Sequence, residues 1–65
     1  MPSSVVAHIY YNEETSVLRV TYQSGSVYDY KDVPLREYKH MKAAVSKGKY
    51  LNERIKGHYA FEKIN

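Results

Sequence analysis

Apolar and polar positions along the chain divide it into short elements. Val5 to Tyr11 gathers β-branched and aromatic residues and predicts a strand. Asn12-Glu13-Glu14-Thr15 is polar and predicts a turn. Val17 to Tyr22 alternates, with Leu18, Val20 and Tyr22 on one face and Val17, Arg19 and Thr21 on the other. Gln23-Ser24-Gly25-Ser26 is the next turn, and Val27 to Lys31 is the third strand.

The register at this second turn decides which side chains share a face, because a slip of one residue reverses every one of them. A two-residue Ser24-Gly25 loop pairs Tyr22 with Val27 and sets Asp29 beside Leu18 and Val20. A three-residue loop, Gln23-Ser24-Gly25, with Gly25 left-handed as a bulge, pairs Val20 with Tyr28 and Leu18 with Tyr30. The second register collects the large apolar groups on one face and is the expected one. It assigns Tyr28 and Tyr30 mainly to the core.

At Pro34 the period changes from strand to helix. Its missing N–H and fixed ring suit the first helical turn, and it disfavours helical geometry at Val33. Asp32 is placed to cap the first-turn amides. Leu35, Tyr38, Met41 and Val45, with Ala44, form one helical stripe. Ser46 is a good N-cap for a second helix, in which Leu51 and Ile55 are an i, i+4 pair. Gly57 is its stop. Tyr59 to Ile64 alternates again and predicts a strand returning to the sheet.

The expected fold is α+β: a small antiparallel three-stranded meander, two helices and a C-terminal fourth strand, in the order β-β-β-α-α-β. Residues 1–65 make a single domain. A core this small supplies roughly 3–5 kcal/mol. With no cysteine there is no disulfide to add to it, and eight tyrosines with one phenylalanine are its bulky material. Absence of cysteine suits a reducing compartment. Three histidines without cysteine leave a structural zinc short of ligands. No apolar run approaches the roughly 18 residues of a membrane span, so no membrane association is expected. Met1-Pro2-Ser3-Ser4 has neither a basic n-region nor an apolar h-region. A cytoplasmic location without a signal peptide is the expectation.

Charge sharpens the picture. The net charge is +3, unevenly divided. Residues 1–34 carry Arg19 and Lys31 against Glu13, Glu14, Asp29 and Asp32, a net −2. Residues 35–65 carry eight Lys and Arg against Glu37, Glu53 and Glu62, a net +5. An anionic partner meets the second half.

Catalytic chemistry finds little support. Ser residues and His8, His40 and His58 are present, but no spacing ties a nucleophile to a base and an orienter. His40 falls on the polar face of a helix, and His8 in a strand beside Tyr10. Asp29 and Asp32 read as turn and cap residues before they read as a cation site. Gly48-Lys49 lacks the first glycine and the Ser or Thr of a phosphate-binding P-loop. No enzyme activity, cofactor or metal is expected.

Residues 46–59 carry the functional reading. A capped helix start with Gly48 between Lys47 and Lys49 suits an anion. Lys56 and His58 flank Gly57, with Tyr59 as a stacking ring. Basic groups interleaved with aromatics are what single-stranded nucleic acid binding uses. The expected contacts are Lys47, Lys49, Tyr50, Asn52, Arg54, Lys56, His58 and Tyr59. The competing account is that both tyrosines are core and the lysines only solvate a helix.

The ordered set Tyr28-x-Tyr30, Val33-Pro34, Tyr38 and Ala44-x-Ser46-x-Gly48-x-Tyr50-x-Asn52-x-x-Ile55 resembles the KTSC domain. Tyr11, Leu18-x-Val20-x-Tyr22 and Gly25 are consistent with it, so the resemblance covers about residues 5–64. Leu51 stands where an aromatic is common, and Ala60 where a proline is common; both affect the path to the last strand. The domain is named for the C-terminal region of some lysyl-tRNA synthetases and also occurs as a small stand-alone protein. What the resemblance implies is a non-catalytic domain without an established function, with RNA suggested by the attachment to synthetases.

The sequence therefore reads as a small binding module for single-stranded or transfer RNA. The alternative is a protein–protein interaction module using a sheet edge or an apolar patch. A monomer or weak dimer is expected.

Overall fold

The computed structural model describes residues 6–65. Val5, the expected first residue of the opening strand, lies outside them. Three strands, β1 (Val6–Asn12), β2 (Val17–Tyr22) and β3 (Val27–Tyr30), form an antiparallel meander. Helix α1 (Leu35–Ala43) follows, then a single α-helical turn, α2 (Lys47–Tyr50), that widens into a π-helical turn over Leu51–Ile55. Strand β4 (Phe61–Lys63) pairs antiparallel with β3, so the sheet order is β1-β2-β3-β4.

Turn chemistry fixes the register. The Tyr22 N–H donates to the Ser26 carbonyl at 2.8 Å, and Gly25 takes a left-handed φ of +95°. Val20 pairs with Tyr28 and Leu18 with Tyr30, as the three-residue loop requires. Leu18, Val20 and Tyr30 consequently lie on one buried face with Val33, Met41, Leu51 and Ile55. The helices cover that face and leave the other to solvent. There, Tyr10 pairs with Arg19 and Arg19 with Asp29, whose carboxylate accepts from the Arg19 guanidinium at 2.8 Å.

Strand-to-helix passage runs through Val33. Its N–H donates to the Ser16 carbonyl at 2.8 Å, and its own carbonyl accepts the Tyr11 hydroxyl at 2.6 Å. Tyr11 also stacks on Tyr38 of α1, with ring centroids 5.2 Å apart and planes 14° from parallel. Three expectations for this region change. Asp32 makes no capping bond and instead turns the chain at a left-handed φ of +56°. Pro34 occupies the N-cap position, just outside the helix. Val45 does not continue the stripe: Ala44 is extended, α1 ends at Ala43, and Val45 is fully exposed.

Ser46 caps α2 as expected, accepting from the Lys49 N–H at 3.2 Å. The second helix is not regular, however. The Lys56 N–H donates to Leu51 at 2.8 Å, five residues back, so one wide turn closes the element. Leu51 and Ile55 both remain fully buried. Gly57, at φ +80°, then reverses the chain toward β4.

Candidate nucleic-acid interface

The helical layer does not reach one end of the sheet. Leu18 and Val20 are wholly covered, whereas Tyr22 and Tyr28 on the same face are half-buried and Phe61 is 61% exposed. Around this uncovered end lies a pocket of about 480 Å³ bounded by Tyr22, Tyr28, Tyr30, Phe61, Ser24, Ser26, Lys56 and Gly57. Strand alternation is what brings the rings together. Tyr22 and Tyr28 meet edge to face at 5.3 Å, and Phe61 lies 5.7 Å from Tyr28 and 5.9 Å from Tyr30. The hydroxyls of Tyr22 and Tyr30 are 3.1 Å apart at the pocket's polar side. Burial raises the Tyr22 phenol well above its ordinary range, and the bond to Tyr30 adds to the shift. Lys56 reaches over the Tyr22 ring, its ammonium 5.8 Å from the centroid.

Of the eight expected contact residues, Lys56 alone borders this pocket. Lys49 and Tyr50 line a second, shallower hollow of about 380 Å³ with Ala44, Val45, Ser46 and Glu53. The two hollows share no residue. Lys49, Asn52, Arg54 and His58 are exposed, and Lys47 is half-buried beside buried Gly48. Among the described residues the ion pairs are Arg19–Asp29 and Lys31–Glu62, so none uses a cation of residues 46–59.

Tyr50 and Tyr59 are engaged elsewhere. Both are half-buried against the core and both donate their hydroxyls to the Glu37 carboxylate, Tyr50 to Oε1 and Tyr59 to Oε2 at 2.9 Å. Burial works to raise the Glu37 carboxyl, but those two bonds, with the charges of Arg54 and Arg36, hold it below its ordinary value. Burial and the same carboxylate push the Tyr50 phenol up to about 12, and Tyr59 moves in the same direction. The rings are thereby held in fixed positions.

Sequence reading did not bring Tyr22, Phe61 and Lys63 into the site, and it assigned Tyr28 mainly to the core. Lys63 stands opposite Tyr28 in the β3–β4 register, exposed and on the pocket side of the sheet. The signal was present in the alternation of both strands, but it required knowing that the helices stop short of their ends. Among the described residues, no group of three His, Asp or Glu side chains converges as a metal would require. No helix among them is long and apolar enough to cross a membrane.

The KTSC domain family matches residues 2–59. The chain belongs to the KTSC domain family. A crystal structure of a KTSC domain protein from Yersinia pestis superposes with a TM-score of 0.92 at 31% identity, over all of this chain and 92% of that one. A lysine–tRNA ligase of Nostoc punctiforme is 37% identical over 62 residues, and one of Trichormus variabilis 36% over 62. Each alignment takes in 95% of this KTSC domain and 11% of the ligase. The chain thus spans about a tenth of the length of these curated relatives.

Proposed function

We propose that this KTSC domain is a non-catalytic RNA-binding module, with single-stranded or transfer RNA as its partner. Lys47, Lys49, Arg54 and Lys56 follow one another along one short helical segment. None of them takes part in an ion pair among the described residues. That observation carries the reading: cations outside any ion pair, on a segment that also carries aromatic rings, suit a polyanion whose bases are accessible. The lysine–tRNA ligases that share this domain support RNA as the polyanion. Tyr50 and Tyr59 serve this site as fixed supports, since their hydroxyls are committed to Glu37.

The test is titration of labelled protein with mixed RNA at low salt. Lys47→Glu combined with Lys49→Glu weakens binding while the unfolding temperature stays at the wild-type value. Amide resonances of residues 46–59 that remain still throughout the titration overturn the reading.

A second reading, a protein-interaction module, is favoured by the wholly exposed Val45 beside the shallower hollow and by Phe61 and Ile64 on and beside edge strand β4. A dimer in sedimentation that Val45→Lys or Phe61→Lys dissolves is its signature.

A further inference from the structure

The pocket at the uncovered end of the sheet combines features that no core requires. Four of the eight residues lining its walls are aromatic, and none is a Val, Leu, Ile or Met. Phe61 contributes to those walls while keeping more than half of its surface in solvent. The Tyr22–Tyr30 hydroxyl pair uses one proton between its two oxygens, and with Tyr30 only 2% exposed the remaining hydrogen-bonding capacity toward a ligand is that of the half-buried Tyr22. Ser24 and Ser26 place two more hydroxyls at the margin. Lys56 sets its ammonium over the Tyr22 ring from the helical layer, and exposed Lys63 of β4 is the register partner of Tyr28, on the same face of the sheet. Neither is in an ion pair among the described residues.

We propose that this pocket takes one unpaired nucleobase, stacked on Phe61 beside Tyr28, with the attached phosphate held by Lys56 and Lys63. A planar ring with polar edges matches aromatic walls and hydroxyls together, and an adjoining phosphate matches the two cations. An aliphatic side chain would leave the hydroxyls and both ammonium groups without partners. A paired base is excluded by shape, because both of its faces are already covered in a helix. A free nucleotide and a base splayed from an RNA strand share this chemistry. The inference deepens the RNA reading and rests on it only for the source of the base.

The experiment uses the full chain with labelled aromatic rings. It is titrated separately with adenosine 5′-monophosphate, adenosine, inorganic phosphate, a short single-stranded RNA, and the same RNA annealed to its complement. The expected result is movement of the Tyr22, Tyr28 and Phe61 ring resonances with the nucleotide and the single strand. Phosphate and duplex leave the rings still. Phe61→Ala lowers single-strand affinity about tenfold, and Phe61→Tyr, which keeps the ring face, restores it. Phe61 is exposed enough that its removal spares the core. Lys56→Gln provides a second variant, lowering nucleotide affinity several-fold more than adenosine affinity.

Ring resonances that stay still while the amides of Lys47 and Lys49 move with RNA overturn the pocket and leave the RNA reading standing. Rings that respond to the nucleotide, while neither the rings nor the amides of residues 46–59 respond to RNA, support the pocket and remove the RNA reading. No response to any of these probes overturns both.

Discussion

Tyr59 donates its hydroxyl to Glu37 at 2.9 Å across 22 residues of sequence, tying the segment before β4 to the first turn of α1. With the parallel bond from Tyr50, one carboxylate gathers three elements. Two donors from separate elements meet on this single charged acceptor. Glu37→Ala is expected to destabilise the protein by about 1.5–3 kcal/mol, and Tyr59→Phe by about 1 kcal/mol. Urea denaturation of the three proteins measures both. Equal stability of wild type and Glu37→Ala contradicts the role assigned to this carboxylate.

The same contact sets the response to pH at both extremes. The Glu37 carboxyl is lower in the folded chain than in the unfolded one, so its contribution is present in full above the ordinary glutamate value and is lost as pH falls below it and through the lower folded value. The Tyr50 phenol is raised to about 12, so its contribution is complete below its ordinary value of 10.0 and is lost as pH climbs toward 12. Melting temperature plotted against pH should therefore fall at both ends. Tyr50→Phe should make the alkaline limb shallower, and the acid limb as well because its bond helps hold Glu37 low; an unchanged alkaline limb in that variant would be inconsistent with this account.

Leu51 and Val45 provide a contrast in burial. Leu51→Ala removes a fully buried side chain at a cost of about 2–5 kcal/mol, comparable to the whole stability of a domain this small. Val45→Ser alters a wholly exposed side chain and should stay within about 0.5 kcal/mol of wild type. Thermal melts distinguish the two directly.

Gly25 is required by backbone geometry alone. Nothing lies within 4 Å of the position a Cβ would take, yet its φ is +95°. Gly25→Ala should cost about 1 kcal/mol or more with no rearrangement of the core. Ring shifts at Tyr28 and Tyr30 that report a changed register would show that the turn does more than tolerate the bulge.

If Lys47, Lys49, Arg54 and Lys56 each meet a phosphate, the logarithm of RNA affinity should fall against the logarithm of salt concentration with a slope of about −3. Each Lys→Gln change in the set should reduce that slope by about 0.7. A salt-independent affinity points to a partner other than a polyanion.

Much of the fold could be read from the chain, because period-2 alternation and the choice of loop length fix a register uniquely once one face must be apolar. Leu18, Val20 and Tyr30 meet the core for that reason. Val45 failed the same test at helical spacing because periodicity does not reveal where a helix stops: the extended Ala44 ends it first. The candidate site was less legible. Lys56 could be singled out from its neighbours in sequence, but its companions Tyr22, Tyr28, Phe61 and Lys63 come from three different strands. Their grouping depends on how far the helices extend over the sheet, which no local pattern encodes. Tyr50 and Tyr59 looked available for stacking because nothing in their own segment reveals a partner in Glu37.

The wide turn over Leu51–Ile55 also acts as a length gauge. Successive residues of an ordinary helix advance by roughly 100° about the axis. An extra residue wound into a regular helix would turn everything downstream by about that angle; the wide turn, closed by the Lys56 N–H on Leu51 five residues back, takes up one residue more than an α-helical turn and so absorbs it. Leu51 and Ile55 both stay in the core and Lys56 keeps its place over Tyr22 with that residue present, so the layer beneath can accommodate a chain one residue longer than a regular helix would take.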